Sequence, residues 1–370
     1  MDFALDDEQG MIVQTIRRFV ERDVRSWAAD ADREAAPPAR LAAVAGELGF
    51  YLDAVPEAAG GLLDGPFSHL TRALRGVELG RGCAGVAALL ETNVEPALAV
   101  ARWGGEAARA ALLGALAGGG LATTGRDTRG ALEIADGGGD VRLTGTIGPL
   151  PALGVASHVL LCAAGLVALV PTDAPGATRT ALRAGGWRCA QGGTLRLDGA
   201  RVDGALVLAR GAAAADAAEL ILAWYRASLA ARAAGVAIAA MEHAEKYAAE
   251  RVQFGQPIGQ FEALIRLRDD AETGAAAARL MALWAGWHCD RAADGDAAAR
   301  RAAADAASRA RVLAGDVVAR ATIDAVQIFG GYGFVNDYPV EKLMRDARAF
   351  EALLGDERLT RVLAARAAQG

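Results

Sequence analysis

A chain of 370 residues exceeds the usual reach of one hydrophobic core, which implies two or three structural units. It is 53% hydrophobic but only 5% aromatic, so its interior is expected to rest on Ala, Leu and Val in closely packed helices. The net charge of −6, with acids and bases interspersed, shows no basic stripe and excludes nucleic acid as an expected partner.

In chain order, the opening MDFALDDEQG is acidic and lacks the basic-then-apolar pattern of a secretory signal. Asp6, Asp7 and Glu8 suit the positive end of a helix dipole. Ile12, Ile16, Phe19 and Val20 follow at helical spacing. Val55 to Gly61 reads as a turn, and helical patterns resume over 70–80 and 87–103. From about residue 118 Gly and Thr increase and β-branched runs appear. Strands are predicted over 141–144, 158–162, 166–170 and 194–197, separated by turn signals such as Gly137 to Asp140 and Asp198-Gly199. Long Ala-rich helices return over 219–247, 263–292 and 297–329, with a turn at Phe254 to Pro257. Long helices with short links suggest a four-helix bundle. No run reads as long and clean enough to span a bilayer.

Cys83, Cys162, Cys189 and Cys289 are scattered and form no CxxC pair. The four histidines, His69, His158, His243 and His288, do not cluster with them. Neither a metal site nor a disulfide framework is expected, and a reduced cytoplasm is the expected home. Each histidine reads as structural or exposed, and Trp224, Trp284 and Trp287 as core or interface residues of the bundle.

Three stretches carry a family resemblance. Met1-Asp2-Phe3 with Glu8-Gln9 is a weak match, and Val55-Pro56-Glu57 with Gly60-Gly61 a moderate one. The specific one is YAAERVQFGQPI over 247–258 with Phe261, paired with Gln327 and Gly330-Gly331 downstream. Together they resemble the acyl-CoA dehydrogenases over nearly the whole chain. The resemblance implies an α+β fold with an N-terminal helical domain (1–117), a central antiparallel β domain (118–213) and a C-terminal four-helix bundle (214–370). The bundle would carry the adenosine side of an FAD site and the oligomer interface. Arg251, Phe254, Gln327, Gly330 and Gly331 match the residues that hold FAD in that family. There the Arg faces the pyrophosphate of a neighbouring subunit's flavin, and the glycines let backbone approach it. The alternative is that Arg251 pairs with a helix carboxylate and the glycines only end a helix.

Three departures share a side. The family's catalytic Glu position falls on Leu354, which cannot act as a general base. The position used by some relatives, before an Arg on the long helix, is Tyr225 before Arg226, and a buried tyrosine is a poor base. The sheet motifs against the flavin ring are replaced by Thr123 to Gly130 and by Ile147-Gly148-Pro149-Leu150-Pro151, whose prolines are expected to interrupt a central strand. Glu351 and Asp356 are the remaining base candidates, unless Glu351 is solvated or paired with Arg348 or Arg345. Asp356 stands where the family has a flavin-contacting Thr.

The resemblance therefore implies α,β-dehydrogenation of an acyl-CoA or acyl-carrier thioester with FAD, and electron-transfer flavoprotein or a similar acceptor. The chain is expected in a homo- or hetero-oligomer in which another subunit supplies the base. The competing reading is a non-catalytic scaffold on the same fold. A flavin-dependent oxygenase fits less well, because oxygen chemistry needs the ring well held.

Overall fold

The computed structural model describes residues 4–127, 130–292 and 296–353. Helix α1 (Asp7–Phe19) starts in a capping box. The Asp6 carboxylate accepts the Gln9 N–H at 2.8 Å, and the Gln9 side chain accepts the Asp6 N–H at 3.3 Å. One π turn leads into α2 (Arg25–Glu34), followed by α3 (Leu41–Glu47), α4 (His69–Gly82), α5 (Ala84–Leu90), α6 (Val94–Trp103) and α7 (Glu106–Ala117).

The helix expected over 87–103 is broken between α5 and α6, and the break has a use. Thr92 Oγ1 donates to the Ala122 carbonyl at 2.8 Å, and Asn93 Oδ1 accepts the Ala122 N–H at 2.9 Å. The interruption thus docks the first strand of the sheet region. The segment Ala84–Trp103 is, by length and composition, apolar enough to cross a membrane, contrary to the reading of the sequence; in the fold it is 94% buried inside the protein.

The middle is two four-stranded sheets rather than one small antiparallel sheet. The first has the order β1 (Leu121–Arg126), β4 (Ala156–Ala163), β5 (Leu166–Pro171), β8 (Val207–Arg210), with β1 and β4 parallel. The second runs β2 (Glu133–Gly137), β3 (Asp140–Leu150), β7 (Gly193–Val202), β6 (Ala177–Ala181) and is antiparallel. Val141, Leu143, Val159, Leu161, Leu195 and Leu197 fill the core between them. Alternate residues of the first sheet, including Ala122, Leu160 and Val167, join the helical core instead.

Two local expectations change. Asp198-Gly199 is not a turn but lies within β7, where Gly199 takes φ 62° and the β3 register slips between Leu143 and Gly145. Pro149 does not end β3. Its β2 partner stops at Thr144, so no β2 carbonyl lacks a donor there, and the β7 register shifts between Ile147 and Leu150.

The last third holds α8 (Gly211–Glu250), a two-residue hairpin of β9 (Val252–Gln253) and β10 (Gln256–Pro257), α9 (Glu262–Ala292), α10 (Ala297–Phe329) and α11 (Val340–Ala352). Helix α8 packs against α9, α10 and α4, and α11 lies on α10 and α8. Trp224 of α8 is buried, stacked between His69 (5.1 Å) and Trp103 (6.0 Å). Trp284 and Trp287 are not core residues. They stand half-exposed on α9 with the His288 ring packed edge-on against each.

The α4–α8 crossing is made backbone to backbone. A Cβ at Gly80 would overlap the Arg232 carbonyl, and one at Gly235 would overlap the Val77 carbonyl. Gly235→Ala should therefore lower unfolding stability by roughly 1–3 kcal/mol, the usual cost of overpacking a core. Gly114→Ala on α7, where a Cβ would meet nothing within 4 Å, should raise it by roughly 0.5–1 kcal/mol. Urea midpoints of the two variants should move in opposite directions.

Candidate functional site

The first cleft forms where α8 ends. Helix α8 stops at Arg251, whose N–H bonds the Tyr247 carbonyl at 2.9 Å. Helix α10 stops at Gly330, with φ 58°. The two ends meet over an aromatic floor. Tyr247 stacks on Phe329 at 4.2 Å, and Tyr338 packs edge-on against both. The cleft, ≈ 500 Å³, is lined by Arg251, Gly330, Gly331, Tyr247 and Tyr332 among others. Arg251 makes no ion pair among the described residues; its guanidinium lies 5.6 Å from the centre of the Tyr332 ring. The sequence reading did not single out Tyr332, although it adjoins the Gly330-Gly331 pair.

Phe254 and Gln327 lie nearby but do not line this cleft. Phe254 and Gly255 are the central residues of the β9–β10 hairpin, with φ 51° and 82°. A two-residue hairpin turn of this kind needs positive φ at both positions. Gly255 adopts it freely, but Phe254 pays roughly 1–3 kcal/mol in backbone strain. The ring is also 96% exposed and packs edge-on against Phe261 at 6.2 Å. A strained, exposed aromatic beside an arginine with no ion pair among the described residues is a surface built to be covered. Phe334 is exposed as well.

A second cleft, ≈ 370 Å³, opens between the end of β3 and α11. Pro149, Leu150, Pro151, Trp187, Arg345 and Leu353 are among its walls, so the altered strand end and the residue before Leu354 do come together. Leu354, Gly355 and Asp356 lie outside the described residues, as do Thr128 and Arg129. The cleft's cations are already paired. Arg345 bridges Asp32 (2.7 Å) and Glu341 (2.5 Å), and Arg348 bonds Glu351 at 2.5 Å. Glu351 is exposed and does not line the cleft. Trp187 donates its backbone N–H to Asp346 Oδ1 at 2.8 Å and packs edge-on against Phe350 at 4.7 Å.

Behind this cleft the interior is basic. Arg232 lies over the Trp187 ring at 5.8 Å. Burial, with Arg126 and Arg311 adding repulsion, lowers the Arg226 guanidinium to about 10. Burial raises the Tyr225 hydroxyl to about 12, and that hydroxyl has no hydrogen-bond partner among the described residues. Neither group is a base ready at neutral pH.

Beneath Tyr225 lies a buried charge knot. Arg72 bonds Glu91 and Glu95, each at 2.6 Å, and Arg75 bonds Glu91 at 2.7 Å and also Asp53. Burial opposes ionisation of Glu91, but Arg75 and Arg72 outweigh it and hold its carboxyl at about 2. Among the described residues, no cluster of His, Cys, Asp or Glu is placed to hold a metal ion.

Comparison with known proteins places this arrangement. Residues 6–120 match the family model "Acyl-CoA dehydrogenase, N-terminal domain", and residues 211–369 match "Acyl-CoA dehydrogenase, C-terminal domain". An acyl-CoA dehydrogenase of Bacillus subtilis is 38% identical over 144 residues, an alignment that spans 37% of this chain and 34% of that protein. Another B. subtilis protein, named probable acyl-CoA dehydrogenase YngJ, is 29% identical over 99% of both chains. The structure of butyryl-CoA dehydrogenase from Megasphaera elsdenii superposes with a TM-score of 0.87, at 25% identity, over 100% of both chains.

Two measurements test this geometry. Phe254→Asn relieves the strained turn and removes the exposed ring, so the flavin-free protein should gain roughly 0.5–1 kcal/mol in urea unfolding. Glu91 titrates lower in the folded than in the unfolded chain. Its contribution is therefore present above about pH 4.5 and lost as pH falls towards about 2. Glu91→Gln should flatten that acid slope and cost roughly 3–5 kcal/mol at neutral pH, because it strands buried guanidinium groups.

Proposed function

The chain belongs to the acyl-CoA dehydrogenase family, and from that membership we propose that it is the base-deficient member of a flavoprotein assembly. The assembly removes the α-proton and β-hydride of an acyl-CoA or acyl-carrier thioester and passes electrons to electron-transfer flavoprotein or a similar acceptor, in the cytoplasm. The observation that carries this reading is the contrast between the two clefts. The first presents Arg251, without an ion pair among the described residues, beside an exposed, strained Phe254. The second offers no free carboxylate among its described walls.

FAD is the cofactor of the family. The first cleft suits its adenosine half. Arg251 offers a guanidinium to a pyrophosphate. Where a Cβ would stand at Gly330 and Gly331 there is no atom within 4 Å, so a flat group can lie against their backbone. Phe254 and Gln327 flank that surface and would contact the same group from outside the cleft. Bound in a neighbouring subunit, the flavin supplies the acceptor for the β-hydride.

The second cleft does not suit the reacting half. Pro149 and Pro151 supply no backbone N–H. Tyr225 holds its proton far above neutral pH, and Glu351 is tied to Arg348. No step is assigned to this chain's own ring side. Its residues hold and orient the partner's flavin, and the partner supplies the base.

The test is an anaerobic acyl-CoA titration followed by visible absorbance, on the full chain alone and co-assembled with a family member that retains the Glu. Alone, the chain should be colourless, or yellow and not bleached. The co-assembly should bleach, and Arg251→Ala in this chain should weaken its flavin retention about tenfold or more. Bleaching by the chain alone would overturn the proposal and make Glu351→Gln the next variant. A protein that stays colourless with every such partner would favour the scaffold reading.

A further inference from the structure

The second cleft is held open by the fold, and its chemistry is lopsided. Three bonds pin one wall. The Leu182 N–H donates to the Gly192 carbonyl at 2.9 Å, Arg345 Nη1 donates to the Gly185 carbonyl at 2.6 Å, and Asp346 accepts the Trp187 N–H. Leu150, Leu182, Trp187, Ala349, Ala352 and Leu353 give the cleft apolar sides. Pro149 and Pro151 bring no backbone N–H to it. Its volume, ≈ 370 Å³, stands at the small end of the roughly 300–1,000 Å³ usual for ligand pockets.

Charge reaches this cleft from α11. Its charged walls are Arg345 and Arg348, and no carboxylate lines it among the described residues. Arg345 is committed to Asp32, Glu341 and the Gly185 carbonyl. Arg348 is held more loosely. Its side chain is 51% exposed, and it pairs with the similarly exposed Glu351 one turn along the helix. A surface pair of this kind adds little, so an incoming carboxylate can displace Glu351 from the guanidinium fork.

We infer that the second cleft binds a free, medium-length aliphatic monocarboxylate, with its chain between Trp187 and Leu353 and its carboxylate on Arg348. Apolar sides select an alkyl body, and the single available cation at the mouth selects one anionic head. The ligand is bound and not turned over, because the cleft supplies no base. The inference rests on the reading that this cleft no longer serves a reacting flavin ring. Burial of each methylene is worth about 0.8 kcal/mol, which converts to about fourfold in affinity.

The experiment is a calorimetric titration of the full chain with butyrate, octanoate and decanoate, each below its micelle concentration. Affinity should rise about fourfold per added methylene. Decylammonium should bind about tenfold more weakly than decanoate, or worse. Arg348→Ala should weaken decanoate about tenfold and leave decan-1-ol unchanged, a split that loss of folding would not produce. Ala352→Trp, at an exposed position on the cleft wall, should abolish binding of both. No binding of decanoate, equal affinity for butyrate and decanoate, or a decanoate affinity unmoved by Ala352→Trp would overturn the inference. Decanoyl-CoA separates it from the function proposed above. Bleaching of the chain's own flavin by that thioester would overturn the base-deficient reading, whereas failure of decanoate to bind an unbleached protein would remove the carboxylate site alone.

Discussion

The α4–α8 crossing is the constraint on which the rest of the structure depends. Gly80 and Gly235 let two helix backbones touch, and α8 is lined with buried alanines on both sides of that contact. A chain with few aromatic residues cannot fill wide gaps with large side chains, so it gains dispersion by bringing backbones together instead. Once α4 is fixed on α8, its first half places Arg72 and Arg75 over the break between α5 and α6. Its last turn delivers Cys83 to α11. The far end of α8 delivers Arg251 to the first cleft.

Buried charge does the aligning that packing of small residues leaves loose. Asp346, fully buried, accepts from the Trp187 backbone and from Lys342, and Lys342 reaches Cys83. One carboxylate thereby ties α11, the wall of the second cleft and the end of α4. Arg345, one residue earlier, reaches back to Asp32 on α2. Such groups add little net stability compared with apolar packing. They do, however, leave α11 a single satisfied position, and α11 leads directly to Leu353 at the second cleft.

The long helices were legible because their signals are local. The helix predicted over 297–329 is α10 itself, started by Asp296, whose side chain accepts the Ala298 and Ala299 N–H groups. The interior strands were legible from β-branched runs. Strand β1 was not, because Thr123 to Arg126 reads as a loop, and its parallel partner β4 lies a whole hairpin away. Asp198-Gly199 carried a turn's composition but served as a bulge, since the neighbouring strands, not the pair itself, set its role. At the site, the meeting of Arg251 with Gly330 and Gly331 followed from the paired motif. The strain and exposure of Phe254 could not be read, because nothing in the sequence states a backbone angle or an uncovered face.

The knot of Arg72, Arg75, Asp53, Glu91 and Glu95 also bears on descent. Losing any one member strands a buried charge, at roughly 3–5 kcal/mol, a large share of the 5–15 kcal/mol that holds a typical domain folded. Exchanging the whole set for apolar side chains would cost little, yet each route to that endpoint passes through a chain too unstable to persist. Catalytic residues in such a lineage are free to drift one at a time, whereas the knot can only be inherited intact. The ionic centre of the fold can thus outlast the chemistry that the fold was first selected to perform.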